Sequence, residues 1–383
     1  MKRITGRYFT QIGGYKAYVP EPLPPEPSIE YDDELQILLS EADRNLARLD
    51  GIVTVLPNPD LFIAMYVKKE ALLSSQIEGT QASLEGILEF EADLTPSSDI
   101  NDVKEVINYI KALNYGIEKL KELPMSLRLI KEIHGILVEG TRGFNKTPGE
   151  FRKSQNWIGS LGANLNEANF VPPPPDMVIL LMGDLEKFLY IEDKVPPLIK
   201  IALIHAQFET IHPFLDGNGR IGRLLITFYL FWKNILSKPF LYLSFYLKKN
   251  RVDYYDLLMK IRIDGIWENW IKFFLKGISE ISRESANTAG EIIKLKDSII
   301  TRLYENSVSS IYAIRLIDLI FAMPLITVKK ISETLNISKE SANELVQKFE
   351  KIGILKEITG KPRYRKYIFR DYVDIISKGT MND

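Results

Sequence analysis

The chain has 383 residues, of which 45% are hydrophobic and 26% charged. That is enough to bury a large core, in about two to three domains. Its formal net charge of -1 excludes attraction of polyanions by the overall field, so any basic patch must be local. The absence of cysteine excludes disulfides and thiolate metal sites, and three histidines, His134, His205 and His212, are too few for most histidine-based metal centres.

The first 30 residues contain no apolar segment long enough for a signal peptide. No later stretch is long enough to span a membrane, so we expect a cytoplasmic protein without membrane contact. The N-terminal stretch ends in the proline-rich VPEPLPPEP. We predict it to be irregular, either as an extended arm laid over the surface or as a disordered tail.

Apolar residues then recur at helical spacing through most of the chain. The predicted helices cover 33–49, 60–77, a segment starting near Ser83, 99–122, 126–139, 176–190, 196–211, 219–235, 250–262 and 266–290. Residues 149–171 hold two short apolar pieces around a Gly/Asn-rich middle, which predicts an irregular hairpin. Asp176, after a run of prolines, is a predicted helix cap. The body is therefore mainly α with one small β-hairpin.

The last 90 or so residues change character. A short helix over 327–335, a turn, a helix over 339–352 begun by Ser338 and stopped by Gly353, and two alternating strands indicate a winged helix. Between Met323 and Arg370 there are eleven Lys/Arg, five Glu and no Asp. This local positive charge fits contact with DNA phosphates. Docking of another protein, or dimerisation, remains an open alternative for the same fold.

The most informative segment is residues 211–225, IHPFLDGNGRIGRLL. A glycine-rich turn leads into a strongly apolar helix. Gly217 and Gly219 let backbone N–H groups point outward together, and the helix dipole adds to their field, so the turn can hold phosphate. Arg220 and Arg223 lie three residues apart on the new helix, so both can face one side and bind two phosphate groups.

Two further side chains suggest chemistry at a bound phosphate. Asp216 would repel a bare phosphate but can hold a Mg²⁺ ion that bridges phosphate oxygens. His212, at the end of the preceding helix, can take a proton from an attacking hydroxyl. Either residue alone is more often structural, and only their combination in this order favours function. Phe214 and Ile221 are predicted core anchors, and His205 a buried or capping residue.

HPFLDGNGRIGR matches, without departure, the H-x-F-x-D-G-N-G-R-x-x-R motif of the Fic family, which the chain resembles over nearly its whole length. The resemblance implies a helical-bundle core with a hairpin flap that aligns a target segment by strand addition. It also implies an enzyme that transfers AMP from ATP to Ser, Thr or Tyr hydroxyls of target proteins, with Mg²⁺ as cofactor.

The same resemblance implies roles for individual residues. His212 is the base, Asp216 holds Mg²⁺, and Arg223 holds the γ-phosphate. The backbone amides of the turn, with the Arg220 side chain, bind the α- and β-phosphates; the turn residues are Gly217, Asn218, Gly219 and Arg220. Tyr254 and Tyr255 resemble aromatics of the family's adenine pocket, although packing between helices explains them almost equally well.

A second motif, SSQIEG at residues 74–79, lies far upstream. Ser74 and Glu78 are four residues apart and share a helix face, and Gly79 ends the helix. A carboxylate at a helix C-terminus opposes the dipole and calls for a cationic partner. The stretch resembles the Fic inhibitory motif, in which this Glu pairs with the second motif arginine, here Arg223. The resemblance therefore implies an autoinhibited enzyme.

We divide the chain into an N-terminal arm and inhibitory region at 1–100, a Fic core at 101–290 and a winged-helix domain at 291–383. Two other functions remain open. One is a DNA-binding regulator whose Fic core senses nucleotide. The other is a Fic enzyme that transfers a different nucleotide or removes AMP. ATP, target proteins, the chain itself as a target, DNA and a second copy in a homodimer are the expected partners.

Overall fold

The computed structural model describes residues 3–54, 59–141, 143, 145–159, 162, 164–192 and 194–380, and most of them are helical. The helices are α1 Asp33–Thr54, α2 Pro59–Ile77, α3 Leu84–Glu91, α4 Ile100–Lys119, α5 Leu127–Leu137, α6 Val178–Tyr190, α7 Pro197–Ile211, α8 Asn218–Trp232, α9 Ser244–Lys249, α10 Arg251–Asp264, α11 Trp267–Glu305, α12 Ile311–Ala322, α13 Val328–Leu335, α14 Lys339–Lys351 and α15 Arg370–Ser377. The strands are β1 Gly6–Thr10, β2 Lys16–Pro20, β3 Leu325–Thr327, β4 Lys356–Glu357 and β5 Lys366–Ile368. No helix in these ranges is long and apolar enough to cross a membrane.

Two helices at the centre of the bundle are buried on nearly every side. All side chains of α7 from Leu198 to Ile211 are buried, and so are most of those of α8. The helices α2, α4, α6 and α11 pack around this pair. The connection between them, residues 212–217 (the motif loop), is therefore held firmly at both ends.

Residues 6–20 form an ordered β-hairpin, so the prediction of an irregular segment is wrong there, whereas residues 21–30 are irregular as predicted. β1 and β2 pair antiparallel, with Tyr8 opposite Tyr18. Gly13 and Gly14 both adopt positive φ in the connection, a turn signal that the sequence carried. The Tyr18 N–H donates to the Val171 carbonyl at 2.9 Å, which attaches the hairpin to the end of the predicted flap.

The predicted hairpin over 149–171 closes through a single antiparallel bridge. Ile158 and Phe170 exchange two backbone hydrogen bonds, of 2.9 and 3.0 Å. Residues 160, 161 and 163, at the tip of the prediction, lie outside the described residues. The two apolar pieces pair as expected, but in the described residues they pair only at this bridge and not along a longer run of hydrogen-bonded residues.

Other differences concern helix ends. Asp176 lies within a 3₁₀ turn, Pro175–Met177, and no side chain caps α6, so its predicted capping role is wrong. The helix predicted over 250–262 is α10, preceded by the separate α9. α11 runs for 39 residues and crosses the predicted domain boundary at residue 290 without interruption.

The C-terminal winged helix is confirmed. β3, β5 and β4 form an antiparallel sheet in that order, and the Ser338 side chain caps α14 by accepting from the Ser341 N–H at 3.1 Å. α12 and α15 were not anticipated. α15 packs on α2 and α11, and Gln76 of α2 donates to the Thr380 carbonyl at 3.3 Å. The winged helix thus touches the helix that carries the predicted inhibitory motif.

Candidate active site

The motif loop begins with a strained residue. His212 ends α7 in the left-handed region, with φ 50° and ψ 60°, a conformation that a non-glycine side chain adopts only when its surroundings enforce it. Its N–H donates to the Phe208 carbonyl at 2.9 Å. Its own carbonyl accepts from Arg152 Nε at 2.9 Å and from Asn156 Nδ2 at 3.1 Å. Residues of the flap segment therefore fix the backbone of His212.

Arg152 was not singled out from the sequence. It is almost fully buried, and its guanidinium also donates to the Pro173 carbonyl at 2.6 Å. Burial lowers the pKa of Arg152 to about 10. Because its described hydrogen bonds all go to backbone carbonyls, no pattern of acidic residues in the sequence could indicate its role.

The centre of the loop is closed by its own side chains. The Phe214 N–H donates to Asn218 Oδ1 at 2.8 Å, and Asn218 Nδ2 donates back to the Phe214 carbonyl at 2.7 Å. His134 stacks on the Phe214 ring with centroids 3.8 Å apart, and its Nε2 lies 3.1 Å from the Asp216 carbonyl. The Asn218 side chain is thus committed to the turn, while its main-chain N–H lies in the first turn of α8. The role of His134 was not predicted.

The N-terminus of α8 is open for an anion. Gly217 adopts φ 75°, and no side chain caps the helix, so its first N–H groups are available. Glu78 lies beside this turn, and its Oε1 would lie 2.2 Å from a Cβ placed on Gly219. Only glycine at position 219 permits this approach. The carboxylate therefore lies against the turn where phosphate is expected to bind.

Glu78 and Ser74 bind Arg223 together. Arg223 Nη2 donates to Glu78 Oε1 at 2.7 Å and to the Ser74 carbonyl at 2.9 Å, and Nε donates to Ser74 Oγ at 2.8 Å. α2 ends at Ile77, and Gly79 has φ 97°, which turns the chain away. Burial acts to raise the pKa of Glu78, but the Arg223 guanidinium outweighs it and lowers that pKa overall. The two sequence motifs, far apart in the chain, meet here.

Arg220 and Asp216 lie on another side of the same turn. Arg220 is 2% exposed; its Nη1 lies 3.5 Å from Glu105 Oε2 and its Nη2 3.4 Å from Asp216 Oδ1. Its Nε and Nη1 donate no hydrogen bond within the described part of the chain. Buried donors without acceptors are costly, by about 1–3 kcal/mol each, unless a ligand supplies them. Arg220 is therefore prepared for an anion.

Asp216 is a plausible ligand for one divalent cation. Its Oδ1 accepts from the Gly217 N–H at 2.6 Å, and its side chain is 33% exposed, which leaves the carboxylate accessible. No cluster of three or more acidic or histidine side chains suited to a metal occurs among the described residues. A Mg²⁺ ion held by one carboxylate and by substrate phosphates needs no such cluster, so the donor set fits.

The His212 imidazole is neutral near pH 7. Its side chain is 18% exposed, and Nδ1 has no hydrogen-bond partner among the described residues. Burial, followed by the charges of Arg152 and Arg262, lowers its pKa to about 4, while Glu78 acts in the opposite direction. The ring is thus in the protonation state that a general base requires.

The two predicted adenine-pocket tyrosines differ. Tyr254 is 1% exposed, and its hydroxyl pairs with His205 Nε2 at 2.9 Å, so it packs inside the bundle. Tyr255 is 37% exposed and stands against Tyr254, with ring centroids 5.0 Å apart. Of the two, only Tyr255 offers a ring surface to a ligand. His205 is buried, as predicted, and its Nδ1 lies 2.9 Å from the Gly222 carbonyl.

A mainly helical fold with a neutral histidine, an open helix N-terminus and two buried arginines on the first turns of that helix has the features of a nucleotide-binding site. Family comparisons agree: residues 37–118 match the Fic/DOC family N-terminal region, residues 124–230 the Fic/DOC family, and residues 314–367 an HTH DNA binding domain. The chain belongs to the Fic/DOC family.

Curated relatives carry related names. A probable protein adenylyltransferase of Aquifex aeolicus is 31% identical over 185 residues, which are 47% of this chain and 52% of the relative. The protein adenylyltransferase Fic of Drosophila grimshawi is 32% identical over 173 residues, 42% of this chain and 33% of that protein. The chain thus spans about half or less of these relatives' lengths.

Solved structures agree in fold. A Fic family protein from Desulfovibrio desulfuricans superposes with a TM-score of 0.58 at 19% identity, covering 89% of this chain and 97% of the other. A Fic domain containing signaling protein from Bacteroides thetaiotaomicron gives a TM-score of 0.51 at 20% identity, covering 67% and 95%. At these identities the likeness concerns the fold alone.

Proposed function

We propose that this protein transfers AMP from ATP to a hydroxyl group of a target protein, and that Glu78 restrains the reaction. The observation that carries the proposal is the position of Glu78 Oε1, which is 2.7 Å from Arg223 Nη2 and directly against Gly219. A carboxylate that lies against a helix N-terminus and binds a buried arginine indicates a place suited to anions. The adenylyltransferase names of the relatives support the same reaction.

In the proposed reaction the hydroxyl oxygen of the target attacks the α-phosphorus of ATP. The bond from that phosphorus to the oxygen bridging to the β-phosphate breaks, and pyrophosphate leaves. His212 takes the hydroxyl proton, since its imidazole is neutral. The N–H groups at the start of α8 and the Arg220 guanidinium hold the phosphate chain, and Arg223 holds its far end.

Asp216 would hold Mg²⁺ through its accessible carboxylate. When bound, the ion neutralises phosphate charge and orients the phosphate oxygens. The protein's own part is to keep Asp216 in place, which it does through the Gly217 N–H and the His134 contact with the Asp216 carbonyl.

The restraint follows from competition for one guanidinium. Arg223 is 2% exposed, and three hydrogen bonds to Ser74 and Glu78 occupy its Nε and Nη2. While it is bound to Glu78 it cannot hold the end of the phosphate chain, so ATP would bind in an unproductive position. Glu78→Gly removes the competing carboxylate and leaves Arg223 free.

The reaction is tested with labelled nucleotides and a cell lysate. The Glu78→Gly variant should attach label to protein from α-labelled ATP but not from γ-labelled ATP, because only AMP is transferred. Label from another nucleotide, or loss of AMP from a modified protein, would favour the other Fic reactions. If neither label is attached by a folded Glu78→Gly protein, the proposed transfer is wrong.

A second function has its own supporting observation. The segment linking β4 to β5, residues 358–365 (the wing), exposes Lys361, Arg363 and Arg365, and none of these three forms an ion pair within the described ranges. Tyr364 between the arginines is 93% exposed with φ 57°, and the Glu357 carboxylate fixes the base of the wing by accepting from the Thr359 and Gly360 N–H groups. With the match to an HTH DNA binding domain, this favours duplex DNA as a partner.

Binding of the full chain to duplex DNA tests this function. The affinity should fall steeply between about 50 and 200 mM salt, because phosphate contacts release counterions. Absence of salt-dependent binding would leave protein docking as the role of the winged helix.

A further inference from the structure

One acidic side chain next to the motif loop has a carboxylate oxygen that accepts no hydrogen bond within the described part of the chain. Glu209, in the last turn of α7, has a carboxylate that is 8% exposed, and its Oε1 accepts no hydrogen bond from the described residues. A Cβ on Gly222 would lie 2.2 Å from that same oxygen, so the glycine makes room for the carboxylate. The fold thus makes room for the buried Glu209 carboxylate, while no described residue donates a hydrogen bond to its Oε1.

The imidazole of His212 lies close to this carboxylate. His212 Nδ1 forms no hydrogen bond with the described residues, and it lies 4.0 Å from Glu209 Oε2. A buried polar atom without a hydrogen bond is unfavourable. Because Oε2 lies 4.0 Å from Nδ1, a shift of about 1 Å brings the Glu209 carboxylate within hydrogen-bond distance of the imidazole. Their proximity therefore points to a contact that forms in the working enzyme.

We propose that Glu209 is a positioning residue that accepts the Nδ1 proton of His212. A neutral imidazole carries one proton, so fixing it on Nδ1 leaves Nε2 free to take the proton of the attacking hydroxyl. As the hydroxyl proton arrives at Nε2, the ring becomes positively charged, and the nearby carboxylate stabilises that charge. The role in transfer rests on the proposed function, whereas the hydrogen bond itself can be tested without it.

Several other groups face this pair. Arg152 and Arg262 lower the pKa of His212, whereas Glu78 raises it. Burial raises the pKa of Glu209 to about 7, against the charges of Arg223 and Arg262. The main-chain carbonyl of Glu209 also lies near the His212 ring and accepts from Arg262 Nη2 at 3.2 Å. That carbonyl is the competing acceptor for the Nδ1 proton, so the experiment has to separate it from the carboxylate.

The histidine content makes the tautomer measurable, since the chain has only three histidines. His134 Nδ1 accepts from the Gly149 N–H at 2.9 Å, so its proton is on Nε2. His205 Nδ1 faces the Gly222 carbonyl at 2.9 Å, so its proton is on Nδ1. In ¹⁵N-histidine NMR of the full chain, these two rings provide one internal reference for each tautomer.

The test compares Glu209→Met with Glu209→Gln. We expect His212 to be the Nδ1–H tautomer in the wild type and in Glu209→Gln, whose amide oxygen still accepts, and to gain the Nε2–H form in Glu209→Met. Glu70→Gln, which changes another buried acid, should leave His212 unchanged. An Nε2–H tautomer in the wild type, or an unchanged Nδ1–H tautomer in Glu209→Met, would overturn the proposal; the latter would assign the proton to the main-chain carbonyl.

Activity gives a second readout. In the Glu78→Gly background, Glu209→Met should lower kcat about 100-fold with little change in KM, within the range of general-base catalysis, and Glu209→Gln should lose less. An unchanged kcat in Glu209→Met would also contradict the proposal. If no variant transfers AMP at all, the proposed function fails, while the tautomer still decides the role of Glu209.

Discussion

Two regions of this protein present arginines, and they do so in opposite ways. In the active-site region Arg220 and Arg223 are each 2% exposed and lie within ion-pair distance of acids of the chain itself. In the wing Arg363 and Arg365 are exposed, and no described ion pair includes them. The first pair is fixed in position before a ligand arrives, whereas the second lies at the surface, where Arg365 Nε donates to the Lys361 carbonyl at 3.1 Å.

The difference teaches what each region can recognise. Buried guanidinium groups have few orientations, so they suit one phosphate chain at one place, and salt screens them little. Exposed ones act mainly as charges and suit a repeating phosphate backbone, with strong salt dependence. Because Arg223 is buried, it needs an acid beside it when no ligand is bound, and Glu78 is that acid.

The largest expected effect is a loss of the transfer rate without a matching loss of ATP affinity, in the buried active-site region. In the Glu78→Gly background, His212→Ala should lower the rate of AMP transfer about 1000-fold, because it removes the base, while the affinity for ATP changes little. Single-turnover transfer from α-labelled ATP and a separate ATP titration measure the two quantities. Retained transfer would remove His212 from the role of base.

Exchange of arginine for lysine tests the difference between the buried and the exposed arginines directly. Arg223→Lys, again with Glu78→Gly, should lower transfer about tenfold, because lysine lacks the planar fork that holds two oxygens. Arg363→Lys with Arg365→Lys should change DNA affinity less than about twofold, since charge is conserved. Equal sensitivity of the two regions would show that burial does not distinguish them.

Removal of the wing charges is expected to act on DNA alone. Arg363→Ala with Arg365→Ala should lower DNA affinity about tenfold and reduce the slope of log affinity against log salt by about 2. AMP transfer should stay as in the parent protein, which serves as the control for folding. An unchanged salt slope would exclude these arginines from phosphate contact.

The smallest effect concerns the buried acid Glu70, whose pKa is raised more by burial than it is lowered by the charge of Arg223. Burial raises the pKa of Glu70 to about 7, although Ser244 donates to it, whereas an unfolded glutamate titrates near 4.5. Between these values the folded state holds more protons, so the free energy of unfolding falls as pH rises from 5 to 8. Glu70→Gln should reduce this fall by about 1–2 kcal/mol in denaturant titrations at both pH values. An equal fall in both proteins would contradict the shift.

Much of the fold and part of the site could be predicted because their signals are local. The helical periodicity, the turn at residues 216–219 and the Ser338 cap are all written in short segments. The meeting of the two motifs at Arg223 was also expected, but from the resemblance to the Fic inhibitory motif; the carboxylate at a helix C-terminus indicated only a cationic partner. Local pattern therefore predicts which segments form the candidate site.

The residues that hold the site in place could not be predicted in the same way. Arg152 binds carbonyls from three segments, and His134 stacks on Phe214 from a separate helix. In the sequence Glu209 looks like any other acid on a helix. Only the fold, which places it next to His212, distinguishes it. The length of α11 depends on packing along both of its parts. No local signal near residue 290 indicated that the helix continues.

The central claim is that Glu78 restrains transfer by occupying Arg223, and a double-mutant comparison tests it most directly. Initial rates of AMP transfer from α-labelled ATP would be measured with and without Glu78→Gly, in the parent chain and in Arg223→Ala. We predict that Glu78→Gly raises the rate about 100-fold in the parent and has no effect once Arg223 is absent. No increase in the parent, or the same increase in both, would contradict the account.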